Sequence, residues 1–361
     1  MNELNMSNCD FSTADLDREL IARGAETPFD KLFSFSDPAG THQREKIFQK
    51  IKALYRSAPP RNPALRHFST RELLQKLRQL IEENRIEGKR GVWGTDQRLD
   101  IFDTPDDRVR NNVLSTALVC LKRDLTVTKA GDWKLNVKGY RETYDLCLCE
   151  PFYNQPIAAG SICSGVLAAP GIVATAAHFA DKKKLKQLRF VFGFEMADPL
   201  SSVTVFPDEQ IYRGVEILQR KYDFRGATAT GSDWVLIKLD REVKDRPIAV
   251  LSRRHLFFEQ PVYVIGHPCG LPAKYAPGAA VLDIEKAYFM SDMDVFSGNS
   301  GAPVFCAETH EMVGIVTQGD SQDFRFVEGC WVSMVYPNSE VNSLGSRCTK
   351  VSEFGDQLRK V

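Results

Sequence analysis

The chain has 361 residues, 43% of them apolar and 26% charged, the profile of a soluble globular protein long enough for two or three domains. Lys plus Arg and Asp plus Glu both number 47, so the formal net charge is zero and no overall field draws the chain to nucleic acid or to an anionic membrane. Neither is an expected partner.

The opening residues, MNELNMSNCDFSTADLDREL, carry acidic groups and no apolar core of signal-peptide length, so no secretory leader is expected. Residues 1–90 read as a helical domain. A short helix over Ala14 to Arg23 ends at Gly24, and Ile47, Phe48, Ile51, Leu54 and Tyr55 recur at helical spacing until Pro59-Pro60. Ser69 and Glu72 form an S-x-x-E capping box ahead of a stripe of Leu73, Leu74, Leu77, Leu80 and Ile81. Such stripes serve first as packing surfaces. A docking face for a regulatory protein partner, or a pro-domain removed near Lys89-Arg90, are the functional alternatives.

From residue 91 to 361 the texture changes to short apolar runs split by Gly, Pro, Asn and Asp. Strands are predicted at 164–168, 172–174, 188–192, 234–239, 262–265, 302–305, 312–316 and 330–334, with helix closing the fold at 339–344 and 352–358. Many short strands with irregular connections predict closed β-barrels, which leave no open sheet edge. The weakly polar stretch Val166 to Ala180 is too short to span a bilayer and contains Pro170, Gly171 and His178.

Nine cysteines, an odd number in a chain read as lacking a leader, predict reduced thiols and a cytoplasmic location rather than a disulfide framework. Cys147 and Cys149 form C-x-C with no second pair or histidine at zinc spacing, so neither a metal nor a cofactor is expected.

Residues 294–305, DVFSGNSGAPVF, place Ser300 between turn-forming residues just ahead of an apolar strand. A serine there can present its hydroxyl and neighbouring backbone N–H groups to a reacting carbonyl, although the same tetrapeptide also makes an ordinary hairpin turn. A nucleophilic serine needs a base, and the base needs an anion. His178 ends the strand-like GIVATAAH where the chain turns polar, at the expected rim of a barrel; Asp233 opens the apolar run DWVLIKLD, where a carboxylate needs a hydrogen-bonding partner. A structural histidine and a strand-start cap are the bland alternatives.

The chain order His, Asp, Ser and three local motifs together carry a resemblance. VATAAH resembles the histidine motif of trypsin-like serine peptidases, SDWVLIKL resembles their aspartate strand, and GNSGAPVF is similar to their G-[DN]-S-G-[GSA]-P box. The resemblance is closest to the bacterial glutamyl-endopeptidase-like branch and covers about residues 91–350. It implies a mostly β domain of two six-stranded antiparallel barrels of the chymotrypsin fold, hydrolysing protein or peptide substrates. It implies the roles of His178, Asp233 and Ser300 as triad, and of the Gly298 and Ser300 N–H groups as oxyanion hole. By the same resemblance Asp294 stands at the base of the specificity pocket, Thr317, Gln318 and Gly319 form the edge that pairs with substrate, and Gly329 lines the pocket. An α/β-hydrolase is disfavoured because Ala302 stands where its G-x-S-x-G elbow needs glycine.

Three departures matter. Asn299 is neutral where digestive members carry the aspartate that receives a freshly cut N-terminus, Phe179 replaces the cysteine after the histidine so that Cys163 lacks its usual partner, and Val316 stands where glutamyl endopeptidases read the substrate carboxylate with histidine. Glutamate preference is therefore disfavoured, and Asp294 leaves an Arg/Lys preference open. His267 is read as structural and Lys182 to Lys186 as a solvated loop. The alternative from another class is a catalytically silent peptidase-fold scaffold or binding protein.

Overall fold

The computed structural model describes residues 91–358 apart from 94, 105, 224–230, 319–322, 328 and 337–344, together with Glu19, Ser69 and Leu73. The chain divides into two compact units, one of residues 1–87 with 339–343 and one of 88–338 with 344–361. The helices expected in residues 1–90, and the one expected at 339–344, lie outside the described residues.

Six strands close the first barrel of the larger unit: β1 (Thr116–Leu121), β2 (Cys163–Ala169), β3 (Ile172–Thr175), β4 (Leu188–Phe192), β5 (Ile211–Asp223) and β6 (Ser232–Leu239). Their order is β4-β5-β6-β3-β2-β1, with β1 paired back to β4 and every pairing antiparallel. The second barrel uses β7 (Pro261–Gly266), β8 (Lys274–Ile284), β9 (Tyr288–Ser291), β10 (Pro303–Cys306) and β11 (Met312–Gln318). The hairpin β12 (Phe324–Val327) and β13 (Cys330–Ser333) follows, and β14 (Ser346–Lys350) completes the barrel in the order β7-β10-β11-β14-β9-β8, closed by β7 on β8. All eight strands expected from sequence are present, with ends shifted by up to two residues. The closing segment forms a 3₁₀ turn over Val351–Glu353 and a short helix over Gly355–Leu358.

Alternation along the strands explains why their runs are so apolar. Successive side chains point to opposite faces, and here both faces are covered. On β6, Val235, Ile237 and Leu239 point into the first barrel while Trp234 and Leu236 face the second. On β7, Val262 and Val264 fill the second barrel while Tyr263 and Ile265 face the first. The interface layer so formed also holds Val166, Ala168, Phe305, Ile315 and Phe354. Each such side chain, fully buried, contributes roughly 1.5–3 kcal/mol. The two barrels thereby share one apolar layer.

The expectation of unpaired thiols is corrected by a disulfide between Cys147 and Cys330, 183 residues apart. It staples the loop before β2 to β13, beside the main-chain bonds Cys147 N–H to Trp331 C=O (2.9 Å) and Trp331 N–H to Asp145 C=O (2.9 Å). Spacing along the chain carries no trace of such a pair, and with it the cysteine count no longer argues for a cytoplasmic location. Among the described residues no group of His, Cys, Asp and Glu is arranged to hold a metal, and no helix is long and apolar enough to cross a membrane.

Candidate active site

Strand register delivers the first two site residues to one place. Thr175 of β3 lies opposite Val235 of β6, and continuing that antiparallel register for two residues sets Asp233 opposite Ala177, next to His178. Asp233, 1% exposed at the mouth of its strand, needs donors, and His178 supplies two. The main-chain N–H of His178 donates to Oδ1 at 3.0 Å, and Nδ1 lies 2.6 Å from Oδ2. An ionised carboxylate only accepts, so Nδ1 carries the proton and the Nε2 lone pair is left for a substrate-side group. His178 is exposed at the rim and makes no hydrogen bond other than these among the described residues.

Ser300 is held by contacts that cross between the barrels. Ser164 of β2 donates its N–H to Ser300 C=O at 2.7 Å and its hydroxyl to Gly298 C=O at 2.8 Å, while the same hydroxyl accepts the His267 N–H at 3.0 Å. The Cys163 thiol also reaches Ser300 C=O, at 2.7 Å, and Thr175 Oγ1, at 3.3 Å; burial pushes that thiol up to about 12, so it stays neutral. Gly301, at φ +80°, packs so closely on Ser164 C=O, Thr175 Oγ1 and Ala176 N that a Cβ has no room. The serine turn therefore abuts the strand end that carries His178. Ser300 Oγ and His178 Nε2 are not hydrogen-bonded in this structure, a contact that in such sites often tightens only with substrate present.

Among the described residues, neither the Gly298 nor the Ser300 N–H donates to a protein acceptor, whereas those of Asn299, Gly301 and Ala302 do. Two free donors beside a nucleophile are the requirement of an oxyanion hole.

The resemblance puts Asp294 at the base of the specificity pocket. Its carboxylate is 5% exposed, and its oxygens accept the main-chain N–H groups of Trp93 (2.7 Å) and Gln97 (3.0 Å). Burial raises it to about 6. It anchors the segment entering the domain, where Gly91 bridges Val295 and Val92–Trp93 pairs with Val335–Tyr336. Thr317 is buried and its hydroxyl donates to Arg347 C=O at 3.3 Å; Gln318 ends β11 opposite Arg347; Gly319 lies outside the described residues. Gly329, at φ +97° in the β12–β13 turn, holds a backbone conformation that favours glycine. His267 is structural. It is 1% exposed, with Nδ1 3.0 Å from Leu271 C=O and its ring stacked on Phe194, and burial depresses it to about 4.

Sequence reasoning missed Ser164 and Cys163 as supports of the Ser300 turn. Both act through contacts more than 100 residues away in the chain, which no local pattern encodes.

Residues 163–315 match the family model for the trypsin-like peptidase domain. The chain carries a trypsin-like serine peptidase domain. That peptidase domain has the chymotrypsin fold described above, and it is a serine hydrolase. Among solved structures, the chain is similar to a Glu endopeptidase (15% identity, 75% of this chain and 100% of that chain, TM-score 0.45). It is also similar to a serine endoprotease from Yersinia pestis (14% identity, 72% of this chain and 67% of that chain, TM-score 0.41). No curated protein matches the chain.

Proposed function

We propose that the domain is an endopeptidase cutting protein or peptide substrates through an acyl-enzyme, with Ser300 as nucleophile, His178 as base and acid, and Asp233 holding His178. The observation that carries this reading is the two-point grip of Asp233 on His178, which fixes the ring's tautomer and aims Nε2 outward. Ser300 Oγ bonds to the substrate carbonyl carbon as its proton passes to Nε2. The negative charge developing on the carbonyl oxygen meets the Gly298 and Ser300 N–H groups. The C–N bond breaks as Nε2 returns the proton to the leaving amine, and a water molecule repeats both steps to free the acyl group and Ser300.

In this reading Asp294 anchors the segment entering the domain, being buried with each oxygen accepting a main-chain N–H. Residues 1–90 act as a regulatory or adaptor unit. Profiling cleavage of a peptide library by wild type and Ser300→Ala tests the assignment: a loss of roughly 10⁴–10⁶ in turnover is expected for a triad acting as a unit. Unchanged hydrolysis in the variant would remove it.

A further inference from the structure

The oxyanion hole depends on one peptide plane, that joining Ser297 to Gly298, because the Gly298 N–H lies in it. In a trans peptide the N–H points opposite the C=O, so whatever holds Ser297 C=O sets where the Gly298 N–H points. Ser297 C=O accepts the Cys269 N–H at 2.5 Å. The other end of Ser297 is held by a side chain: its N–H lies 3.0 and 3.2 Å from the two carboxylate oxygens of Asp323. Held at both ends, Ser297 has little freedom, whereas Gly298, at φ +93°, lacks a side chain to resist rotation of that plane.

We infer that Asp323 is a positioning residue for the oxyanion hole: through the Ser297 N–H it keeps the Ser297–Gly298 peptide turned so that the Gly298 N–H faces the reacting carbonyl. This rests on the peptidase reading above. The carboxylate is itself rigidly mounted. Asp323 C=O accepts the Met334 N–H at 2.9 Å, closing the base of the β12–β13 hairpin. β13 is then fixed from outside by the Cys147–Cys330 disulfide and by buried Glu150, which accepts the Ser333 N–H at 2.9 Å and hydroxyl at 2.6 Å. A hairpin that carries none of the triad thus orients one of the two oxyanion donors. Without Asp323 the preceding peptide loses its carboxylate anchor, Ser297 can turn, and rotation of the Ser297–Gly298 plane would present a carbonyl oxygen where the donor belongs.

The test compares full-length wild type, Asp323→Ala and Asp323→Asn on a fluorogenic peptide chosen from the wild-type cleavage profile, with amide hydrogen exchange over residues 294–300 as a second readout. Losing an oxyanion donor outright lowers turnover about 10²–10³-fold, so a residue that orients one is expected to lower kcat by about 10–10² when removed, with KM within about threefold. Asp323→Asn keeps one neutral acceptor oxygen in place of two charged ones and recovers only part of the loss, and exchange at Ser297 is faster than wild type in both variants and fastest with alanine. Wild-type kcat in Asp323→Ala, a loss confined to KM, or unchanged exchange would overturn the inference. If wild type neither cleaves peptides nor reacts with a fluorophosphonate, the peptidase reading fails, while the exchange comparison still decides whether Asp323 holds the loop. If the alanine variant does not fold, Asp323→Asn decides it: the inference requires faster Ser297 exchange than in wild type, and unchanged exchange overturns it.

Discussion

Ser164→Ala removes one oxygen that serves both barrels. The hydroxyl is fully buried; it donates to Gly298 C=O and accepts from His267 N–H, so its loss strips a partner from two buried main-chain groups. Each group so left costs about 1–3 kcal/mol, and partial relaxation of the turn brings the expected loss to about 2–4 kcal/mol. For a domain of this size, at about 2–4 °C per kcal/mol, that is a fall of about 4–16 °C in melting temperature. The variant also frees the carbonyl next to the oxyanion donors, so kcat is expected to fall at least about tenfold at a temperature where the protein is folded. Thermal unfolding followed by circular dichroism, with kinetics well below the transition, reads both quantities. A melting temperature within about 2 °C of wild type together with unchanged kcat would refute the argument that Ser164 pins the serine turn.

Further outcomes follow from individual contacts. Non-reducing peptide mapping is expected to find Cys147 joined to Cys330, and Cys330→Ser to lose about 2–4 kcal/mol of stability; a map with both thiols alkylated would contradict the pairing. His267, depressed to about 4, destabilises the fold as pH falls from about 6.5 to 4, because the unfolded chain takes up that proton first. Asp294, raised to about 6, acts oppositely, since the folded state takes its proton first as pH falls from 6 toward 3.8. Each is worth about 3 kcal/mol across its window. Asp294→Asn removes the offsetting member, so its unfolding free energy is expected to drop more steeply than wild type between pH 6.5 and 4, by about 2–3 kcal/mol; parallel curves would show that the two groups do not oppose each other. The same variant is expected to keep the wild-type side-chain preference in cleavage-site profiling, and a lost preference for Arg or Lys would return Asp294 to the pocket.

His178, Asp233 and Ser300, the proposed triad, stand out because each lies in a short local pattern near a strand end, and strand register sets Asp233 beside His178. Strands buried on both faces, such as β2, β6 and β7, were legible as continuous apolar runs. β5 was not: its sequence, IYRGVEILQRKYD, is largely exposed, and register shifts near Val215 and Leu218 break the alternation that would betray it. β8 hides behind Pro277 and Gly278 at its centre. The helix Asp107–Leu114 buries only Val109, Asn112 and Val113, too narrow a stripe to stand out among its charges. The disulfide, Ser164 and Asp323 depend on contacts between distant segments, which no local pattern encodes. The offset that singles out Asp294 carries no sign of the amides of Trp93 and Gln97 that its oxygens accept, because those lie about 200 residues away in the chain.

The central claim is that His178, oriented by Asp233, activates Ser300. Incubating folded wild-type protein with a fluorophosphonate and mapping the adduct by mass spectrometry tests it most directly, with His178→Ala alongside. The account predicts a single adduct on Ser300 that forms far more slowly in the histidine variant. A folded protein that takes no label, or one labelled equally fast without His178, would contradict it.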